Sequence, residues 1–169
     1  EALLNKADPV LTDNLVAVEI DNNGKVTKAN LQEEWYDYET KRWANAVILK
    51  DETVNYSSWE TIPESNIESY FVWIPRYKYK IFDEGNYTSL TSFADKTQII
   101  EVVFENKDIE PSNGTTKDSW LTHPAFTSFN SNGMWVGKFE TGYDGATTTA
   151  EAQINSVDTS KIIIKPNVY

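Results

Sequence analysis

The chain of 169 residues contains no cysteine and a single histidine, His123. Disulfide bonds, zinc–thiolate sites, iron–sulfur clusters and cysteine nucleophiles are therefore excluded within the chain. One histidine cannot supply the several convergent ligands that a transition-metal site usually needs. Residues 21–32 begin like a calcium-binding loop but lack the closing acid, so we interpret them as a turn. We predict neither a cofactor nor a bound metal.

Long apolar runs and basic residues are also scarce. No apolar segment approaches the roughly 20 residues of a membrane-spanning helix, so we predict no membrane insertion of this segment. Lysine and arginine total 15 against 26 aspartate and glutamate residues, which gives a net charge of −11 at pH 7. Such a surface repels phosphate backbones and anionic lipids. We therefore predict no nucleic-acid partner.

Aromatic residues are abundant, and apolar residues follow the period of β-strands. Six Trp, nine Tyr and seven Phe occur, and 40% of the residues are hydrophobic, which predicts a folded chain. Residues 14–20 place Val16, Val18 and Ile20 on one face at the period of a strand, and the segment DNNG (21–24) after them favours a hairpin turn. The sequence predicts a mainly β fold with one or two short helices, the best helix candidate being residues 62–69. Further strands are predicted at 70–75, 76–82, 97–105, 133–142 and 161–166.

Residues 34–49 predict a second hairpin with a polar four-residue loop. In that register Tyr38 faces Trp43, and Tyr36 faces Asn45 across the two strands. The rings either close a small β-layer or form an exposed aromatic platform for a glycan or a protein partner.

His123 is the one residue that could act as the base of a Ser-His-Asp triad. No G-x-S-x-G motif accompanies it, and the seven glycines form no phosphate-binding pattern. Pro124 holds His123 in an extended conformation and favours the start of a strand. Carboxylate pairs are so frequent among 26 acidic residues that none indicates glycosidase chemistry. We interpret His123 as structural and predict no enzymatic activity.

Residues 76–80, RYKYK, form the one cluster of basic and aromatic side chains. On a strand, Arg76, Lys78 and Lys80 share one face, and the two tyrosines lie on the other. The cations either pair with acidic residues on a half-exposed strand or bind a negatively charged partner subunit.

Three segments together resemble a known family: VWIP (72–75), HPAF (123–126) and WVGKFET (135–141). They are similar in order and type to the N-terminal half of the sulfatase-modifying-factor domain, also called formylglycine-generating-enzyme-like. The resemblance implies a variant of the C-type lectin fold, a scaffold used by enzymes and by receptor-binding proteins. Over residues 9 to about 145 the chain more closely resembles uncharacterised surface and phage-associated proteins of Gram-positive bacteria.

The resemblance does not extend to catalysis. The copper-dependent branch of the family uses a pair of cysteines and the iron-dependent branch uses several histidines, and this sequence has neither set. Those residues belong to the later half of the family domain. The resemblance therefore implies a fold and not an activity.

These observations predict an N-terminal β-hairpin region over 1–60 and an incomplete C-type-lectin-like region over 61–169. The expected function is that of a non-enzymatic extracellular structural or adhesive protein, a subunit of a pilus-like cell-surface filament or of a phage particle. Sheet edges left unpaired by a partial domain would favour self-association into an oligomer or filament.

Two alternatives remain open. The first is a glycan- or receptor-binding module that contacts its ligand through exposed aromatic side chains. Its candidate residues are Trp35, Tyr36, Trp43, Trp59 and Trp135. The second is a fragment of a formylglycine-generating-like enzyme, which predicts a cleft where carboxylates or His123 converge.

Overall fold

The computed structural model describes residues 7–81, 100–114, 119–143 and 162–166. These residues form a mainly β structure with one six-residue helix, α1 (Pro124–Phe129), and one 3-10 turn (Glu64–Asn66), which confirms the predicted fold class. The strands are β1 Val16–Ile20, β2 Val26–Lys28, β3 Asn45–Leu49, β4 Ile67–Pro75, β5 Tyr77–Ile81, β6 Ile100–Phe104, β7 Leu121–Thr122, β8 Gly133–Gly137, β9 Thr141–Tyr143 and β10 Ile162–Ile164.

The strands pair in two sheets. The larger has seven strands in the order β2-β1-β3-β4-β10-β9, with β8 also paired to β4. Neighbours along this order are antiparallel except β4 and β10, which run parallel. The smaller sheet has three antiparallel strands in the order β6-β5-β7.

The chain divides into two compact units that do not follow the predicted boundary at residue 60. One unit takes its described residues from Ile74–Met134 and from the segment up to Pro9. The other takes them from Val10–Trp73 and Trp135–Tyr169. The ladder between β3 and β4 joins residues from both predicted regions, so a division at residue 60 would cut through one sheet.

The hairpin predicted around DNNG is confirmed, because β1 and β2 pair antiparallel across it. The Asp21 carboxylate accepts hydrogen bonds from the backbone N–H groups of Asn23 (2.8 Å) and Lys25 (2.9 Å). Gly24 has a φ of 80°, in the left-handed region that favours glycine. The turn is therefore fixed by its own local chemistry.

The two faces of the larger sheet carry side chains of different size. Neighbouring residues of a strand point to opposite faces of the sheet. On one face, Ala17 and Ala44 are small and leave room for the indoles of Trp35 and Trp73, which are 7% and 3% exposed. The cluster on the other face consists of Val18, Val26, Val47, Leu49, Ile62, Ile67 and Tyr70.

The second predicted hairpin is wrong in its first strand and in its register. Residues 34–36 form no strand, and a single bridge joins Asp37 to Arg42. Strand β3 pairs with β1 and β4 instead. The Asp37 carboxylate accepts from the backbone N–H of Glu39 at 3.0 Å, and Lys41 takes a φ of 63°. With this turn Asp37 pairs with Arg42, whereas the predicted register would place it opposite Ala44, so the register differs by two residues.

The helix predicted over 62–69 is also wrong. The structure has only the 3-10 turn there, and β4 already begins at Ile67. Ile67 lies opposite Leu49 on β3 and is fully buried. Pairing with β3 satisfies both the backbone and the apolar side chain at this position, and it outweighs the local helix signal.

The other strand predictions hold where the structure describes them. Strands β4, β5 and β10 overlap the predicted segments, and β6 forms the described part of 97–105. Residues 133–142 form two strands, β8 and β9, where one was predicted. The loops predicted at 83–96 and 145–160 lie outside the described residues. Within the described ranges, the structure contains no helix with the length and apolar character needed to cross a membrane.

Candidate functional site

His123 acts as a structural residue at the start of α1. Its backbone is extended (φ −61°, ψ 127°), as predicted, but Pro124 begins a helix and not the predicted strand, since proline fits the first helical turn. Its ring nitrogen Nδ1 accepts a hydrogen bond from the backbone N–H of Ala125 at 3.3 Å and caps the helix. The ring contacts Tyr77 and Phe126 at centroid distances of 5.3 and 5.8 Å. The accepting nitrogen and the ring are thus engaged by the fold.

Arg76 is buried and does not share the exposed face predicted for it with Lys78 and Lys80. It is 1% exposed, and its Nε lies 3.1 Å from Oε1 of Glu105, which is 2% exposed. The Thr122 hydroxyl donates to the same carboxylate oxygen at 2.7 Å. Removing either partner of this buried pair would leave the other charge uncompensated.

Lys78 and Lys80 project from one face of β5, as predicted, and both find partners within the chain. Their ammonium groups lie 5.4 and 5.3 Å from the ring centroid of Trp120. The Lys80 ammonium also lies 2.8 Å from the Glu101 carboxylate. These contacts favour the interpretation of paired cations on a half-exposed strand over that of a docking site.

Three of the predicted ligand-binding aromatic residues belong to one row of rings. Trp35 contacts Tyr36 with 5.3 Å between ring centroids, and Tyr36 contacts Tyr38 at 5.5 Å. The last contact, between Tyr38 and Trp43 at 5.1 Å, is the one that the sequence predicts. Trp35 is buried, whereas Trp43 at the other end of the row is 41% exposed. The row therefore connects an exposed indole to the core.

A cleft of about 680 Å³ opens beside Trp43. Its volume falls within the roughly 300–1,000 Å³ of small-molecule sites. The tip of the β1–β2 hairpin forms one wall, and the loop at residues 40–43 forms another. Asn45 on β3 and Lys138 after β8 complete it, together with Thr27 and the buried Trp35.

The charge balance of the cleft is opposite to that of the chain as a whole. Its charged lining consists of four cations and two carboxylates: Lys25, Lys41, Arg42, Lys138, Glu19 and Asp21. The hairpin turn engages the Asp21 carboxylate, and the Arg42 guanidinium donates to the Glu34 carbonyl at 2.9 Å. Against a net charge of −11 for the chain, this local excess of cations attracts an anion.

Lys138 is positioned by a hydrogen bond to a buried side chain. Its Nζ donates to Oδ1 of Asn45 at 2.6 Å. Asn45 is 7% exposed, and its amide nitrogen donates to the Trp43 carbonyl at 2.8 Å, which sets the orientation of the amide. Burial lowers the pKa of Lys138 from its ordinary value. One of the three ammonium N–H donors is used on Asn45, and the described residues offer no second acceptor.

The other two predicted aromatic residues lie away from this cleft. Trp135 is half-buried, contacts Trp73 at 5.3 Å, and donates from Nε1 to the Val10 carbonyl at 2.8 Å. Trp59 is 52% exposed, with a φ of 70° and a backbone hydrogen bond to Lys28. Neither Trp59 nor Trp135 lines the cleft.

A second, smaller cavity of about 240 Å³ has a different character. Its lining includes the carboxylates of Asp13 and Glu52, and its one lysine, Lys28, donates to the Tyr56 carbonyl at 2.6 Å. Since no tryptophan lines it and its cation is already bound, it offers less for a ligand than the larger cleft.

Sequence reasoning did not identify Lys138 or Asn45. The available signal was a polar residue inside an otherwise apolar strand segment, as in WANAVIL and GMWVGKF. Such a residue can face solvent, and the sequence does not show that two of them meet across 93 positions. Their contact depends on the pairing order of the larger sheet.

No protein-family model matches the chain, and no curated protein or solved structure matches it significantly. The resemblance to the sulfatase-modifying-factor family therefore remains a prediction from its three segments. Within the described residues, His, Asp and Glu side chains form no group of three that could hold a metal ion.

Proposed function

We propose that the chain is a non-enzymatic structural and adhesive protein that associates with copies of itself in an extracellular assembly, either a cell-surface filament or a phage particle. Strand β6 carries this proposal. Its side chains Ile100, Val102 and Val103 are 61%, 51% and 40% exposed. Exposed β-branched residues on an edge strand favour pairing with another chain.

The position of β6 in its sheet explains why it is suited to pairing. It forms one edge of the order β6-β5-β7, and among the described residues only β5 pairs with it. A further strand that paired along the side facing away from β5 would extend this sheet. Glu101 is its one charged residue, and Lys80 lies 2.8 Å from that carboxylate.

The composition of β6 favours a second copy in antiparallel orientation. Pairing centred on Val102 would place Glu101 of each copy opposite Val103 of the other, and Ile100 opposite Phe104. A parallel, in-register pairing would bring two Glu101 carboxylates side by side, which is unfavourable. The antiparallel arrangement has the two-fold symmetry of most homodimers, so pairing through β6 would form a dimeric unit of the proposed assembly.

The non-enzymatic and extracellular parts of the proposal have separate support. His123, the one candidate catalytic base, is engaged as a helix cap and in ring contacts. The extracellular setting rests on the resemblance of the chain to surface and phage-associated proteins. Neither part depends on β6.

Light scattering coupled to size-exclusion chromatography tests the self-association. We expect the wild-type chain to show a mass above that of a monomer that rises with concentration. Val102→Lys should shift the equilibrium to the monomer, because a charge on an edge strand opposes pairing. Val136→Lys is the control, since Val136 is a 40% exposed valine on a different sheet. A wild-type monomer at all concentrations, or equal effects of the two lysines, would refute the proposal.

A further inference from the structure

The cleft beside Trp43 has a rigid aromatic surface. The Tyr38 ring packs against the indole of Trp43 in a T-shaped contact with an interplanar angle of 83°, and Trp43 remains 41% exposed. The face of an indole carries partial negative charge and attracts polarised C–H bonds. One side of a pyranose ring presents a row of such C–H bonds, so a sugar is a ligand suited to this surface.

The ammonium of Lys138 lies in the same cleft and is held in place by Asn45 at 2.6 Å. The residue is exposed, so its ammonium is accessible to a ligand in the cleft. The attraction between this charge and an opposite charge is strongest in direct contact. An anionic group on the ligand would thus find a positioned partner.

The carboxylate of Glu19 favours a ligand that carries hydroxyl groups beside its single negative charge. It lies in the wall of the cleft and would repel a small multivalent anion such as phosphate or sulfate. The same carboxylate accepts hydrogen bonds from sugar hydroxyl groups. The hydroxyl of Thr27 in the lining can donate to or accept from such groups as well.

We propose that this cleft binds an anionic saccharide, with its carboxylate paired to Lys138 and one of its rings stacked on Trp43. The cleft lies in the compact unit that does not contain β6. Saccharide binding and self-association can therefore each fail without the other.

Isothermal titration calorimetry with two carboxylated probes, trigalacturonate and a hyaluronan tetrasaccharide, tests the ligand class. We expect at least one probe to bind, and its neutral methyl ester to bind at least about tenfold more weakly, as expected for a lost charge-assisted hydrogen bond. Sodium sulfate at equal charge concentration should not compete beyond its ionic-strength effect. Equal affinities for acid and ester, or no binding of either probe, would overturn the proposal.

Four substitutions test the residues. Lys138→Gln removes the charge but keeps a donor for Asn45, and Trp43→Ala removes the stacking surface. Each should weaken binding by about tenfold or more. Trp59→Ala is the matched control, because Trp59 is 52% exposed and lies outside the cleft. Equal losses for Trp43→Ala and Trp59→Ala would contradict the site. If Lys138→Gln fails to fold, Lys138→Arg should retain binding, and its failure to do so would count against the ion pair.

Discussion

Tyr70 shows how burial changes the chemistry of a single side chain. The residue is 4% exposed, and its hydroxyl donates to the Glu64 carboxylate. The other oxygen of that carboxylate lies 3.1 Å from the Lys165 ammonium. Burial, followed by the hydrogen bond to Glu64, raises the pKa of the Tyr70 phenol above its ordinary value of 10.0. The folded chain therefore keeps a proton that the unfolded chain releases.

We expect this phenol to make the chain less stable in alkali. Above a pH of about 10 the folded chain holds one proton more than the unfolded chain, so the free energy of unfolding falls as the pH rises. The slope contributed by one such group is at most about 1.4 kcal/mol per pH unit. Urea unfolding of wild type and Tyr70→Phe between about pH 8 and 11 measures it. The difference between the two proteins should shrink with rising pH, and parallel curves would contradict the prediction.

Helix α1 shows how one element depends on a residue at its boundary. With six residues it is too short to be stable alone. His123 contributes in two ways: Nδ1 accepts from the Ala125 N–H, and the ring contacts Tyr77 and Phe126. The helix therefore depends on both an acceptor and a ring at position 123.

Two substitutions of His123 separate these contributions. His123→Asn keeps a cap acceptor and loses the ring, whereas His123→Phe keeps a ring and loses the acceptor. We expect each to lower the free energy of unfolding by about 1 kcal/mol. His123→Ala, which loses both, should cost about 2 kcal/mol. Chemical denaturation provides the values. Wild-type stability in all three variants would remove the structural role and restore His123 as a candidate reactive residue.

Elements whose signals are local could be predicted from the sequence. The β1–β2 hairpin is fixed by Asp21 and Gly24 within the turn itself. The alternation of lysine and tyrosine on β5 likewise needs only the period of a strand. The predictions for residues 34–38 and 62–69 were wrong because strands distant in the sequence determine the structure there. Strand β3 pairs with β1 and β4, and the pairing of β4 with β3 begins at Ile67.

The candidate cleft could be predicted only in part for the same reason. Trp35 and Trp43 are the same residue type in one short segment, yet one is 7% and the other 41% exposed. The difference arises because Ala17 on β1 and Ala44, immediately before β3, provide space for the first indole. Their small size has this consequence only once β1 and β3 are known to be neighbours.

At the scale of the whole molecule, the net charge of −11 acts on both proposed interactions. Two copies of the chain repel each other at long range, whatever surface brings them together. The cleft, with its excess of cations, attracts an anion at short range. Salt screens both effects, over a distance of about 10 Å at 0.1 M ionic strength.

The two interactions should therefore respond to salt in opposite directions. Raising sodium chloride from about 0.02 to 0.5 M screens repulsion between copies, so self-association through the apolar side chains of β6 should become tighter. The same change weakens the pairing of a saccharide carboxylate with Lys138, so the affinity of the cleft should fall. Light scattering and calorimetry over one salt series measure both trends in the same samples. Association that weakens with salt would show that ion pairs, and not the β6 edge, hold the copies together. Saccharide affinity that does not change would show that stacking on Trp43 acts without the charge.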